Sequence, residues 1–335
     1  MAADARVVAL QANFCQVHLQ EPGPGGVQRL LCIRRTRLGK RGEQICVGDW
    51  VRVEAIDWLA RRGAIVELGE RQSLLARPAV ANCSRIVVVV SLAQPALDPL
   101  QLTRFLITAE RSAQPVEVVF SKADLVPTEQ RESWVRRLEG WGYAALAVSS
   151  PSGLGLSELA AQLSSPGLSV LCGPSGVGKS SLLNALVPAL QLRVAAVSGR
   201  LQRGRHTTRH VELFPLAEGA LVADSPGFNR PDLPRDPLAL GSLFPEIRRA
   251  QALQPCRFNN CLHQGEPGCT VGANWDRFGL YSHCLENLLA RVEGPRDRPV
   301  PGTQWPGASR RLQRQQLQEE VDQEDGDISL RNPAG

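Results

Sequence analysis

The sequence predicts an α/β domain built on a parallel sheet, preceded by a small all-β unit and followed by a mostly helical, cysteine-bearing module. Three observations carry that expectation. Between residues 78 and 229, short β-rich runs alternate with helical patterns, as strands joined by crossover helices do. Residues 1–77 show apolar alternation without helical spacing, and residues 230–295 gather cysteines and a histidine ahead of a helical stretch. A hydrophobic fraction of 43% and a charged fraction of 21% over 335 residues suit a globular chain of two or three domains and exclude bulk disorder or a fibrous repeat.

The first unit, residues 1–77, reads as about five strands, with Arg29–Ile33, Gly48–Ala55 and Ala64–Leu68 as the clearest runs. It carries twelve Arg and Lys against eight Asp and Glu. Arg34, Arg35, Arg37, Lys40 and Arg41 cluster near one loop, a candidate polyanion-binding face or simply a solvated one. No basic stretch leads into an apolar one after Met1, and the longest aliphatic run, Ile86–Val90, is far too short to cross a bilayer. Nine cysteines, an odd number with three inside residues 256–269, argue against a disulfide framework and for a reducing, cytoplasmic setting. Residues 296–335 lack apolar periodicity and carry six acids within Glu319–Asp327. That composition predicts a disordered charged tail.

The α/β region, residues 78–229, holds the most specific signal. Gly173-Pro174-Ser175-Gly176-Val177-Gly178-Lys179-Ser180 matches the pattern G-x-x-x-x-G-K-[ST], between the β-like run Leu168–Cys172 and a helical run starting at Ser181. Such a loop turns backbone amides inward around phosphate oxygens, and the helix start adds its dipole. Lys179 is expected on the β- and γ-phosphates and Ser180 on Mg²⁺. Arginine would replace a compact point charge by a broad fork there, which bears on a chain with only three lysines (Lys40, Lys122, Lys179) among 38 basic residues.

About 45 residues downstream, the run Ala220–Ala223 ends in Asp224-Ser225-Pro226-Gly227. Asp224 suits the Mg²⁺ shell and the Gly227 amide a γ-phosphate contact. Between these motifs lies Gly204-Arg205-His206-Thr207-Thr208-Arg209. Thr207 or Thr208 is a candidate for a switch threonine that closes on Mg²⁺ and phosphate. Arg203, Arg205 and Arg209 make a second basic patch around them.

A base-reading motif is missing downstream but present upstream. The β-run Val116–Phe120 leads into Ser121-Lys122-Ala123-Asp124, and Ala144–Val148 leads into Ser149-Ser150. The Asp124 carboxylate can accept two hydrogen bonds from guanine N1 and N2, which adenine does not offer. The Lys122 stem would pack along the base, and Ser149-Ser150 stands where a short loop reaches the guanine O6. Ser121 replaces the usual Asn or Thr and has less reach, which predicts weaker nucleotide binding. The order is base motif, short loop, phosphate loop, switch threonine, then D-x-x-G. That is a circular permutation, which closely spaced chain termini permit. The alternative is an accidental match in an ATPase or small-molecule kinase.

The last module, residues 230–295, contains Cys256, Cys261, His263 and Cys269. Three thiolates and one imidazole suit a closed tetrahedral Zn²⁺ site with no position open for water, hence a structural metal. Gly265 and Gly268 let the chain curl back. His283 and Cys284 lie on a helical stretch, Tyr281–Leu289, and read as packing residues.

The permuted order, together with Arg203-Gly204-Arg205-His206-Thr207-Thr208, Asp224-Ser225-Pro226-Gly227-Phe228 and the Cys/His cluster, resembles the bacterial small-subunit-dependent GTPase A (RsgA) family, over residues 1 to about 292. The resemblance implies an N-terminal OB-fold barrel that binds RNA, a circularly permuted P-loop GTPase domain and a zinc-binding helical domain. It also implies GTP hydrolysis with Mg²⁺, stimulated by the 30S subunit and its 16S rRNA late in subunit maturation, by a cytoplasmic monomer without membrane contact. Phe228 stands where many GTPases carry a water-orienting Gln. It cannot bond water, so intrinsic hydrolysis is expected to be slow, and the resemblance implies a catalytic role for His206. The competing reading is a nucleic-acid-binding module with a relic nucleotide site, against which Lys179, Ser180 and Asp224 speak.

Overall fold

The computed structural model describes residues 2–11, 13–35, 44–76, 79–187, 190, 211–224 and 231–292. Five strands come first: β1 (Ala3–Leu10), β2 (Cys15–Gly23), β3 (Val27–Arg34), β4 (Trp50–Asp57) and β5 (Arg62–Leu68). They pair in the order β1-β2-β3-β5-β4, and β4 returns to β1, so the sheet closes into a barrel. All pairings are antiparallel except β3 with β5. This is the OB-like barrel, and closure removes the strand edges. Period-two alternation fills its interior with Ala5, Val7, Val17, Leu19, Leu30, Cys32, Val51, Val53 and Ile65.

The barrel also has a buried outer wall. β1 shifts register between Val7 and Ala9. Val7 stays in the barrel core, whereas Val8 joins Val47, Val80, Val211 and Leu213 in the core of the next sheet. Arg6 is buried on that side, where its guanidinium donates to the carbonyls of Gly48 and Asn82 at 3.2 and 3.0 Å and lies over Trp50. β1 meets the next sheet through the pair Ala9–Glu212. A two-stranded hairpin, β6 (Leu74–Ala76) and β7 (Ala79–Ala81), leads between them.

That next sheet comprises β8 (Arg85–Ser91), β9 (Val116–Ser121), β10 (Ala144–Ala147), β11 (Gly167–Cys172), β12 (Glu212–Ala217) and β13 (Ala220–Asp224). Its spatial order is β10-β9-β8-β11-β13-β12, parallel except for β12. Central parallel strands are covered on both faces, which is why β8 reads as an unbroken aliphatic run. On one face Ile86, Val88 and Val90 pack on Leu102, Phe105 and Leu106 of α1 (Pro99–Glu110) and on Leu138 and Trp141 of α2 (Thr128–Trp141). On the other, Val87 and Val89 pack on Leu159 and Leu163 of α3 (Leu156–Leu163) and on Leu182 and Leu183 of α4 (Lys179–Leu186). Asp98 caps α1 by accepting from the amides of Leu100 and Gln101, with Pro99 at the first helical position. Gly142 ends α2 with φ +102°.

The permutation is visible in this order. The three strands that come first in the chain, β8, β9 and β10, form one side of the sheet. β11 then returns to the open side of β8, with β13 and β12 beyond it. Only Ser164, Ser165 and Pro166 separate α3 from β11, so the short link that joins the two halves costs little chain.

The chain continues through α5 (Leu238–Gly241), α6 (Pro245–Leu253) and α7 (Phe278–Val292). Their core is Leu240, Phe244, Ile247, Tyr281, Cys284, Leu285 and Leu288, joined by Ile107 of α1. Among the described residues no helix is long and apolar enough to cross a membrane. The expected tail, residues 296–335, lies outside the described residues.

Candidate functional site

The phosphate loop leaves β11 through Gly173, whose φ is +138°. A Cβ there would sit 1.9 Å from the carbonyl oxygen of Val89, so no other residue fits. Gly176 and Gly178, at φ +81° and +91°, turn the loop back into α4, with Gly178 at its N-cap. Val177 between them is buried against Leu182 and Leu183. Lys179 opens the helix, and its ammonium crosses the loop to donate to the carbonyls of Gly173 and Pro174 at 2.9 and 2.7 Å. Ser180 and Ser181 follow in the first turn, half-buried, with Ser175 exposed on the loop. Asp224 ends β13 in register with Leu171 of β11, which sets its main chain beside the strand that enters the loop.

The base motif, fifty-odd residues upstream, reaches this same loop. Ser121 at the end of β9 is buried, and its hydroxyl shares its hydrogen between the carbonyls of Val90 and Val177, at 3.1 and 2.5 Å. The Lys122 ammonium donates to the Gly176 carbonyl at 2.8 Å and to that of Gln94. The Ala123 amide donates to Val148 at 3.0 Å. A single 3-10 turn, Ala123–Leu125, then presents Asp124 at the surface. Ser149 follows β10, fully buried, its amide bonded to Leu154 and its hydroxyl accepting from the Ser152 amide. Ser150 stands beside it, half-buried.

Two features of this arrangement were not legible in the chain. Ser121 bonds the phosphate loop itself, through the Val177 carbonyl. Gln94, on the loop after β8, contributes a main-chain acceptor, and an acceptor that every residue carries leaves no mark on a sequence. His206, Thr207, Thr208, Gly227 and Phe228, the side chain of Asp224, and the basic residues Arg37, Lys40, Arg41, Arg203, Arg205 and Arg209 lie outside the described residues.

The second site is the Cys/His cluster. The ligand atoms of Cys256, Cys261, His263 and Cys269 lie within 4.8 Å of one another. His263 Nδ1 is 3.6 Å from two of the sulfurs and 3.8 Å from the third. Tetrahedral angles with metal–sulfur and metal–nitrogen bonds of about 2.3 and 2.0 Å require a nitrogen–sulfur edge of about 3.5 Å, so His263 sits where the fourth ligand of a four-coordinate metal belongs. Burial pushes the His263 pKa down, keeping the imidazole neutral and able to ligate. Gly268 is obligatory here: a Cβ would meet the Arg257 side chain at 2.8 Å with φ at +83°.

Neighbours hold the knuckle. Glu266 accepts from the amides of Leu262 and Gln264, both at 2.7 Å. The Tyr281 hydroxyl donates to the Leu262 carbonyl at 2.6 Å. Cys284 is buried in the α5–α7 core and His283 is exposed on α7, both outside the cluster. Glu266 was not singled out in the sequence, although an acid inside a ligand loop is the available signal.

A family profile described as RsgA GTPase matches residues 68–234. A Synechococcus protein (strain CC9605) named small ribosomal subunit biogenesis GTPase RsgA is 58% identical over 283 residues, covering 84% of this chain and 93% of its own. The crystal structure of YjeQ from Thermotoga maritima superposes with a TM-score of 0.71 at 29% identity, covering 87% of this chain and all of that one. The structure of YloQ, described as a circularly permuted GTPase, superposes at 0.70 with 27% identity, covering 89% of this chain and 98% of that one.

Proposed function

This chain belongs to the RsgA GTPase family, and from that premise we propose that it is a maturation factor of the small ribosomal subunit whose slow GTP hydrolysis is stimulated by the 30S particle. The observation that carries the nucleotide part is the clasp of Ser121 and Lys122 on Val177 and Gly176. It joins a base motif to a phosphate loop that the chain order separates.

In this reading Asp124 accepts from the guanine N1 and N2, Lys122 lines the base, and Ser149-Ser150 lie near O6. Gly173, Ser175, Gly176, Val177, Gly178 and Ser181 cradle phosphates with main-chain amides, Pro174, which has no amide hydrogen, only shapes the loop, and Gly227 adds a donor at the γ-phosphate. Lys179 balances charge on the β- and γ-phosphates. Ser180, Asp224 and one of Thr207 and Thr208 hold Mg²⁺, which supplies charge neutralisation on the phosphates when bound. His206 positions the attacking water, since Phe228 has no hydrogen-bonding group.

The metal of the knuckle is Zn²⁺ in a structural role: three sulfurs and a nitrogen at these separations leave no open position. Residues 1–77 act as the RNA-binding barrel, 78–229 as the GTPase domain, 230–295 as the zinc domain and 296–335 as a charged tail. The protein works as a cytoplasmic monomer on 16S rRNA. The test is GTP turnover titrated with purified 30S subunits, for wild type and His206→Ala. Strong stimulation of the wild type is expected, and its loss in the variant. Equal stimulation of both removes His206 from the mechanism, and no stimulation of either removes the ribosomal partner.

A further inference from the structure

One helix runs from the base-reading turn to the module that carries the Cys/His cluster. α2 begins three residues after the turn that carries Asp124. Near its start Arg131 donates to the Ala123 carbonyl at 3.1 Å and to the Thr128 hydroxyl at 2.6 Å. Ala123 lies between Lys122 and Asp124, so Arg131 holds the main chain of the base-reading turn.

The other end of α2 is clamped by the metal-bearing module. Arg137 pairs with both oxygens of Asp276, at 2.6 and 2.9 Å, and the Trp141 indole donates to the same carboxylate at 2.6 Å. Arg249 of α6 donates to the Gly140 carbonyl at 2.9 Å. Arg277 is fully buried, bonded to both oxygens of Glu246 at 2.7 and 2.5 Å, with its guanidinium 4.6 Å from the ring centres of Trp141 and Phe244. Arg137 follows Arg131 by six helical steps, about 9 Å along the axis, short enough for a rigid rod to carry a displacement.

We propose that Asp276 is a positioning residue for guanine recognition: by fixing the last turns of α2 it fixes Arg131, and Arg131 fixes the turn that presents Asp124. The proposal rests on the reading of Asp124 as the base acceptor. Ser121 and Lys122 are tied directly to the phosphate loop, so they stay in place when α2 shifts. Asp124, one step further along the exposed turn, moves with Ala123. A loosened clamp therefore weakens the base contacts and spares the phosphates.

The experiment measures the affinity of the full chain for a fluorescent GDP and for inorganic tripolyphosphate as competitor, in wild type, Asp276→Asn, Arg131→Met, the double variant and Asp124→Asn. Arg131→Met loses a charge-assisted hydrogen bond, so GDP binding should weaken about tenfold. Asp276→Asn, acting through the helix, should weaken it about threefold. Tripolyphosphate affinity should not change in either. The double variant should bind GDP as Arg131→Met alone does, because the two changes act in one chain of contacts. Asp276→Glu, which keeps the charge, should recover most of the loss, and Arg137→Gln breaks the same clamp if Asp276→Asn does not fold. Wild-type GDP affinity in Asp276→Asn, additivity with Arg131→Met, or a matching loss for tripolyphosphate overturns the proposal. If Asp124→Asn leaves GDP binding intact, the base-acceptor reading itself fails.

Discussion

The nucleotide end and the metal knuckle meet one demand in opposite ways. Each must gather donors around a charged group with a backbone that turns sharply at glycine. The knuckle takes its four ligands from fourteen consecutive residues, 256–269. The nucleotide end collects its parts from the loop after β8, the ends of β9, β10 and β13, and the loop after β11. A knuckle depends on chain order, since its ligands must fall at set intervals. A site assembled from strand ends depends on their spatial order, which a permutation leaves alone. This is why the cut between α3 and β11 can be sewn shut and another opened before β8 without moving the base motif off the phosphate loop.

The two sites also differ in what they lean on. The nucleotide end is cross-braced by its own lysines: Lys179 crosses the loop to Gly173 and Pro174, and Lys122 enters from the side to Gly176. Two of the three lysines of an arginine-rich chain thus converge on one loop, where a compact ammonium fits among carbonyls and a guanidinium fork does not. The knuckle is braced from within by the Glu266 carboxylate on the Leu262 and Gln264 amides, and also from outside, by Tyr281 on Leu262 and by the Gly241 backbone against the His263 ring.

Substitutions at the two regions should differ in size and in kind. The largest effect is at the phosphate loop. Lys179→Met should lower GTP turnover by about 10²–10³-fold, the usual cost of removing one preorganised charge from a reacting phosphate or oxyanion. The melting temperature should fall by only a few degrees, since the Gly173 and Pro174 carbonyls lose the ammonium, and steady-state kinetics with a thermal scan reads both. The next is at the knuckle, with the opposite signature. Stripping the metal with a chelator, or Cys261→Ser, should lower the melting temperature by roughly 2–4 °C for each kcal/mol lost. Nucleotide turnover at room temperature should fall only as far as the α2 clamp loosens. A metal-free protein with unaltered melting would mean that the α5–α7 core holds the knuckle without it. The smallest expected effect is at Ser121. Ser121→Ala deletes a hydroxyl that ties β8 and β9 to the loop and leaves the Val177 carbonyl unpartnered, at about 1–2 kcal/mol. GDP affinity should weaken about tenfold, and an unchanged value would make the clasp from beneath dispensable.

Much of the site was legible because its residues are chemically singular. Gly173, Gly176, Gly178, Lys179 and Ser180 form an ungapped pattern, and Ser121-Lys122-Ala123-Asp124 after a strand is nearly as specific. The cluster Cys256, Cys261, His263 and Cys269 was legible as a set, and the separations of its donor atoms agree with four-coordination. The α/β layering followed from the alternation of β-rich and helical runs over residues 78–229. The docking of the parts was not legible. No motif marks Arg277 in the sequence, yet it is the buried post between Glu246, Trp141 and Phe244. Val8 alternates out of the barrel as a strand residue must, yet the face it reaches is the neighbouring core and not solvent.

What the sequence alone determined is therefore the inventory of chemistry and its local geometry: a phosphate loop, a base motif, a ligand set, and the alternation that makes strands. Those follow from side-chain identity and from spacing along the chain, which are properties a sequence states directly. What the tertiary structure decided is which carbonyl each of these groups meets. Ser121 on Val177, Lys122 on Gln94 and Gly176, Arg131 on Ala123 and the return of β4 to β1 all use main-chain partners or long-range pairings. The backbone offers the same donor and acceptor at nearly every residue, so only the folded arrangement selects among them.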